Sequence, residues 1–284
     1  MPDVSRTPAI SVISANRNHE TFIEDAIESV LRQKFDDYEY IIVDGASTDR
    51  SVDIIKKYAA KNPCMRWVSE PDSGNAEALR KALNMARGRY IMITTSTDGY
   101  LSRNWFSNVA AVLDNDPTVS LVWGNCQSMD EHGSLGQIVW PNLFSNPPPQ
   151  KEQWCFTWLN ALAENLSAYR CPLPELNYCI RADILRKLNG EFSEFPEINN
   201  IDMIYKIAFG FGYFGYMPYY LPIVANFGRS HANREQFTPR VREEEKAFYA
   251  AYPKYHKMLT SGERLHYIRN GRGEPILQVS LRQG

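Results

Sequence analysis

From Ile10 to Trp123 the chain alternates two hydrophobic rhythms. Short apolar runs at Ile10–Ser14, Tyr40–Val43, Arg66–Val68, Tyr90–Thr94 and Ser120–Trp123 have the length and composition of buried strands. Between them apolar residues return every third or fourth position. Phe22, Ile23, Ala26, Ile27, Val30 and Leu31 share one helical face, with Glu and Asp on the other. Val52, Ile55 and Tyr58 mark a second helix, which Ser47-Thr48-Asp49 is suited to cap. Asn75–Ala86 reads as a third helix stopped by Gly88, and Asn104–Leu113 as a fourth. Strands separated by helices predict an α/β fold, with a Rossmann-like, mostly parallel sheet and helices on both faces. Ligands of such sheets bind beyond the carboxyl ends of the strands. The polar residues that fall there are Asn16 to Asn18, Asp44, Asp72 and Thr95 to Asp98.

The rhythm stops after Cys126. Asn142 to Gln153 is rich in Pro and Asn and predicts a loop. Helical patterns follow at Trp154–Glu164, Arg181–Leu188 and Ile201–Phe209. No fresh alternation begins, so 126–232 is expected to elaborate the sheet of 1–125 rather than form a second domain. Residues 233–284 are expected to be a helical tail, opening with the charged stretch Pro239 to Lys246. Gly210 to Gly215 spells G-x-G-x-x-G. It follows a helical pattern and runs into Pro218 and an extended Tyr219 to Val224, the reverse of a dinucleotide-binding loop.

Composition narrows the partners. The 284 residues are 44% hydrophobic and 23% charged, ordinary for a soluble globular protein. A net charge of -2 argues against a general binder of nucleic-acid phosphates, and no nucleic acid is expected as a partner. Cys64, Cys126, Cys155, Cys171 and Cys179 are scattered and read as reduced thiols. Met1 to Arg6 lacks an apolar leader core, and Phe209 to Phe227 lacks the long Leu/Ile/Val run of a spanning helix. The expected location is cytoplasmic.

Three strand-end segments carry candidate chemistry. Asp44 directly follows a strand and suits a uracil imide or a ribose hydroxyl, while Gly45 and Ala46 let the backbone approach a ligand. The same residues also read as a plain capped turn. In Ser69-Glu70-Pro71-Asp72-Ser73-Gly74, Asp72 falls on the rim with Asp44, and a simple Pro-Asp-x-Gly turn is the other reading. Thr95-Ser96-Thr97-Asp98 offers one carboxylate, Asp98, to a Mg²⁺ or Mn²⁺ that would neutralise a diphosphate.

Together these segments resemble the family 2 glycosyltransferases along nearly the whole chain. The helix Phe22 to Gln33, the block Ile42-Val43-Asp44-Gly45-Ala46-Ser47-Thr48-Asp49 and the run Ser69 to Gly74 carry the resemblance. It implies a GT-A fold and inverting transfer from a nucleotide-diphosphate-sugar donor to a glycan or lipid-linked acceptor in polysaccharide biosynthesis. It implies a donor-binding half at 1–125 and an acceptor-binding, catalytic half at 126–232. Asp44 and Asp72 would contact the donor's base and ribose. Backbone near Ala15 and the side chain of Arg17 would line the base pocket, with Gly45, Gly74, Thr97 and Asp98 on the same donor segments.

The departures from the family pattern are specific. Pro-Ser/Thr-Tyr-Asn becomes Ala15-Asn16-Arg17-Asn18. The aspartate expected to hold the metal becomes Thr97, so Asp98 serves or the site is metal-poor. The expected general base becomes Asn200, an amide; Asp202 survives two residues on, with Glu197 near. Asp202 reads equally as a carboxylate favoured by a helix N-terminus. His231 matches a position after the last strand that ligates metal or contacts the diphosphate, and a lone structural His is the other reading. Arg229 would neutralise phosphate charge. Asn200 and Thr97 motivate an alternative, a non-catalytic relative that binds a nucleotide sugar or a glycan. Tyr255, His256, Lys257, His266, Tyr267 and Arg269 suggest a peripheral contact at the inner face of a membrane, where lipid-linked acceptors reside.

Overall fold

The computed structural model describes residues 7–117, 119–130, 132–138, 178–187, 217–229, 263–269 and 275–281. The first part of the chain alternates as its pattern predicts. Strand β1 (Ile10–Asn16) leads to helix α1 (Ile23–Leu31), β2 (Tyr38–Asp44) to α2 (Ser51–Ala59), and β3 (Met65–Ser69) to α3 (Asn75–Met85). Then come β4 (Tyr90–Thr95), a short β5 (Gly99–Tyr100), α4 (Trp105–Asn115) and the long β6 (Val119–Met129). Later elements are β7 (Leu135–Ile138), β8 (Tyr178–Arg181), α5 (Ala182–Lys187), β9 (Met217–Arg229), β10 (Glu263–Arg269) and β11 (Pro275–Leu281).

The main sheet runs β3-β2-β1-β4-β8-β6-β9-β5, with β7 paired to β6. β1 is parallel to both β2 and β4, and β2 to β3. Ile10, Val12 and Ile13 of β1 have no exposed surface, as expected of a strand covered on both faces. Helix α1 buries Ile23, Ala26, Ile27 and Val30 against that sheet. Fully burying an aliphatic side chain of this kind contributes about 1.5–3 kcal/mol. Its opposite face ties α1 to α2: the Tyr58 hydroxyl donates to Glu24 Oε1 (3.0 Å) and Glu28 Oε1 (2.7 Å).

Beyond β6 the structure departs from the sequence pattern. β6 continues to Met129, past the point where the rhythm stops, because β9 pairs along its length and β7 folds back onto it. β8 was not foreseen; four residues are too few to show a period, and Arg181 ends this strand instead of opening a helix. The Arg181 guanidinium donates to the carbonyls of Leu113, Asp116 and Val119, closing the end of α4. Gly88 is not a left-handed helix stop. A Cβ there would lie 2.5 Å from the Ser11 backbone nitrogen, so the glycine serves the close approach of its loop to β1. The helical tail expected at 233–284 contains instead the antiparallel pair β10–β11, where Tyr267, Ile268, Ile276 and Val279 favour extended chain. The helical patterns at Trp154–Glu164 and Ile201–Phe209, the Gly210–Gly215 run and the stretch from Pro239 lie outside the described residues.

Candidate functional site

The carboxyl ends of β1 to β4 form one rim. The parallel register sets Asn16 level with Asp44, Asp44 with Ser69, and Ala15 with Thr95. Three loops stitch the rim together. Asn18 Oδ1 accepts from the Thr48 N–H at 2.8 Å, and its own N–H donates to Ser47 Oγ at 2.8 Å. Asp49 accepts from the N–H groups of Ser51 and Glu20, both at 2.9 Å, which ties the loop after β1 to the first residue of α2; the N-cap itself is Arg50, without a side-chain capping bond, and not one of Ser47 to Asp49. His19 Nδ1 lies 2.7 Å from Ser96 Oγ, bridging the loops after β1 and β4. Asn18 and Ala46 are held at φ 56° and 55°, a left-handed conformation that is unusual for alanine.

Asp44 is not an open carboxylate. It has 0% exposure. Its Oδ1 accepts from Asn16 Nδ2 at 2.6 Å and from the Ser47 hydroxyl; its Oδ2 accepts from the Ser47 N–H at 2.9 Å and the Ser69 hydroxyl at 2.7 Å. It thereby fastens the ends of β1, β2 and β3. The Asn16 amide that holds it is 3% exposed, and Asn16 Oδ1 has no hydrogen-bond partner among the described residues.

Asp72 stands half-buried beside this hub. Its Oδ1 accepts from the Gly74 N–H at 2.9 Å. A Cβ on Gly45 would sit 2.7 Å from Asp72 Oδ2, so Gly45 is what lets this carboxylate lie against the end of β2. Gly74, with φ 133° and ψ -176°, turns the chain into α3 through a conformation open essentially to glycine. The loop is clamped by Lys81, which pairs with Glu70 (2.8 Å) and Glu77 (3.1 Å) and donates to the Pro71 carbonyl (3.2 Å). Bonds from the Ser73 hydroxyl and N–H, with Lys81 alongside, draw the Glu77 carboxyl down to about 2.

Asp98 is 8% exposed and receives hydroxyl bonds from Thr95 at 3.2 Å and Thr97 at 3.5 Å. Thr97 thus supports the carboxylate that the metal segment retains. Among the described residues no three His, Cys, Asp or Glu side chains gather as a metal site. Arg17 is exposed at the rim and makes no hydrogen bond or ion pair among the described residues. Gly45 and Ala15 fall where the resemblance places them in sequence, at the ends of β2 and β1. Arg229 ends β9, paired in register with Met129. Asn200, Asp202 and His231 lie outside the described residues. Asn16, His19 and Ser69 were the rim residues that sequence reasoning left without roles, and Ser47, read as a helix cap, binds Asp44 instead. Their signal, small polar side chains at strand ends, is common to all turns.

Two clefts flank this architecture. One of about 590 Å³, lined by Lys56, Met65, Trp67 and Met85, lies at the outer edge of β3. Another of about 400 Å³ lies behind Gly99, between Ser29, Tyr100 and Phe227. Among the described residues no helix is long and apolar enough to cross a membrane.

Comparison with known proteins fits this arrangement. Residues 11–164 match glycosyl transferase family 2. A Bacillus subtilis (strain 168) protein described as the teichuronic acid biosynthesis glycosyltransferase TuaG is 41% identical over 195 residues, 57% of this chain and 75% of that one. The mannosyltransferase PcManGT of Pyrobaculum calidifontis, solved with GDP-Man and Mn²⁺, superposes with a TM-score of 0.63 at 21% identity over 89% of this chain and 66% of that one. S. aureus TarS 1-349 with UDP-GlcNAc gives a TM-score of 0.54 at 15% identity, over 84% of this chain and 66% of that one. The chain therefore spans only about two thirds of these solved structures. The family match favours an enzyme over the non-catalytic alternative. With more than half its length matched and the strand-end rim in place, the chain belongs to glycosyl transferase family 2 and is a glycosyltransferase of GT-A fold.

Proposed function

We propose that the chain moves a sugar, with inversion, from a nucleoside-diphosphate donor at the rim of β1 to β4 to a hydroxyl of a glycan or lipid-linked glycan. One observation carries this: the Asp44–Gly45–Asp72 contact brings two family motifs onto one rim beside Asp98. In this reading residues 1–125 hold the donor, 126–232 hold the acceptor, and 233–284 supply the membrane-facing tail. Likeness to TuaG, described by teichuronic acid biosynthesis, supports a polysaccharide as the product class.

Asp72 binds the ribose hydroxyls, while Arg17 and the Ala15 backbone flank the base. The rim places Asp44, Asp72 and Asp98 against one unpaired cation, Arg17, among the described residues. A diphosphate bound there requires added positive charge. A divalent cation, when bound, supplies it; Asp98 and His231 are the residues that would hold it, and Arg229 would share the neutralisation. The acceptor hydroxyl attacks the anomeric carbon as its bond to the diphosphate oxygen breaks. Asp202 takes the hydroxyl proton, and Asn200 orients that hydroxyl through its amide.

The test is calorimetry with UDP, GDP and dTDP, with and without Mn²⁺, followed by a transfer assay. At least one nucleotide is expected to bind, and Asp202→Asn and Asp98→Asn are expected to abolish transfer. Failure of every nucleotide to bind would overturn the reading.

A further inference from the structure

The loop after β1 is fastened through its backbone on one side and through an imidazole on the other. The His19 N–H donates to Ser51 Oγ at 3.1 Å, on the first residue of α2. The His19 carbonyl accepts from the N–H groups of Phe22 and Ile23, both at 3.0 Å, where α1 begins. Asn18 beside it is bound to Ser47 and Thr48. These bonds join the loop to α1, α2 and the end of β2. The imidazole reaches the other way, to the segment after β4. Its Nδ1 lies 2.7 Å from Ser96 Oγ, and Ser96 is 1% exposed. Whichever of the two atoms donates, a half-buried ring holds a buried hydroxyl that is costly to leave unpaired. Ser96 stands between Thr95 and Thr97, whose hydroxyls donate to Asp98 at 3.2 Å and 3.5 Å. One side chain thus ties the loop assigned to the donor's base to the segment assigned to its phosphates.

We propose that His19 is a positioning residue that fixes the spacing between the loop after β1 and the Asp98 segment, so that one nucleoside diphosphate engages both at once. This rests on the donor reading above and deepens it. A ligand that spans two loops gains in full from its second contact only when the loops are already held at the required span. Without the imidazole link, the Asp98 segment must be ordered by the ligand itself. That cost falls on the phosphate end of the ligand and leaves the base end nearly unaffected.

The experiment reads the two ends of the ligand separately. The full chain is titrated by calorimetry, with Mn²⁺ present, against UDP, GDP and dTDP, and the tightest is compared with its own monophosphate. Wild type is expected to prefer the diphosphate by about tenfold or more. In His19→Ala the preference is expected to shrink to about twofold, with monophosphate affinity changed by less than about twofold. His19→Asn sets a polar atom as many bonds from the backbone as Nδ1 and is expected to restore the preference; His19→Gln, one bond longer, is not. Ser96→Ala is expected to match His19→Ala, and the double variant to be no worse than either, as for two ends of one contact. Urea midpoints establish that each variant is folded, and Ser96→Ala carries the comparison if His19→Ala is not. A His19 that serves only the fold would weaken both ligands by the same factor and preserve their ratio, and that result overturns the proposal. So does a His19→Asn variant no better than His19→Gln, or a wild type without preference for the diphosphate. If wild type binds none of the nucleotides, the donor reading falls first and this inference falls with it.

Discussion

Strand β2 carries a buried carboxylate at each end, and the two are held in opposite ways. Glu39, 3% exposed, faces charged partners: Arg66 at 3.1 Å, and Arg87 through its guanidinium at 3.1 Å and its backbone N–H at 2.7 Å, with the Ser11 hydroxyl at 2.7 Å. Asp44 instead accepts from neutral dipoles, those of Asn16, Ser47 and Ser69. The first end closes its own charge account within the fold. The second keeps a net negative charge beneath a rim that also carries Asp72 and Asp98. An ion pair locks structure, whereas a carboxylate held by dipoles fixes geometry and leaves its field for an incoming cation. The same strand is thus finished for stability at one end and left electrostatically incomplete at the other, where ligands of this fold class bind.

Substitution should separate the two ends. Glu39→Ala is expected to have the largest effect on stability. It strands two guanidinium groups and the Ser11 hydroxyl, although Arg66 and Arg87 are 38% and 42% exposed and recover some water. A loss of about 2–3 kcal/mol is expected from urea midpoints at unchanged slope. Nucleotide affinity should stay within about twofold, because the site is at the far end of the sheet. Asp44→Asn should do the reverse. It keeps the shape but turns one acceptor into a donor facing donors, at about 1–2 kcal/mol of stability. Nucleotide affinity should fall by more than about tenfold as the common fastening of the β1, β2 and β3 ends beneath the donor site loosens. If Glu39→Ala weakened nucleotide binding as much as Asp44→Asn, the division between the two ends would be wrong.

The glycines of the rim sharpen the comparison with smaller effects. Gly74→Ala meets nothing within 4 Å, so its penalty is the backbone strain of φ 133° alone, about 1–2 kcal/mol. Gly45→Ala has an ordinary backbone but a Cβ 2.7 Å from Asp72 Oδ2. That oxygen belongs to a side chain that can turn aside, so stability should fall by only about 1 kcal/mol. Nucleotide affinity should fall several-fold, since the displaced group is the proposed ribose contact. Gly45→Ala combined with Asp72→Ala should bind no worse than Asp72→Ala alone, a double-mutant cycle that isolates this contact.

How far the sequence carried these conclusions differs between the two halves of the chain. β1 to β4 and their helices were legible because each is long enough to show its period and because both faces of the sheet are covered. β8 was not, since four residues inserted between distant strands leave no local trace. Asp44, Asp72 and Asp98 were found by position at strand ends. What position could not reveal was that Asp44 would be closed off by four neutral donors, because Ser47, Ser69 and Asn16 look like turn residues in any loop. Gly45 was assigned to ligand approach, and its neighbour in the fold is Asp72, 27 residues away in sequence. Contacts of that span are set by register, which a single sequence does not display.

The smallest expected effect is a pH dependence confined to the Glu39 end. Burial raises the Glu39 carboxyl, but the Arg87 N–H, the Ser11 hydroxyl and the Arg66 guanidinium outweigh it and hold the group below its ordinary 4.5. A carboxyl lowered on folding contributes stability that is fully present above its unfolded value and is lost as pH falls through its folded value. Glu39→Gln removes that contribution at every pH. The variant should therefore be less stable than wild type near pH ~7, and the gap should narrow once the pH drops below 4.5 and through the lower folded value. Urea midpoints of both proteins at about pH 7, 5 and 3 measure this directly. Because the carboxylate is almost fully buried, about 0.5 M salt should leave the neutral-pH gap nearly intact, whereas a surface ion pair would be screened. A gap that stayed constant across the acid range would mean that the arginines bind Glu39 by shape and hydrogen bonding alone. The contrast with the dipole-held Asp44 would then rest on geometry instead of charge.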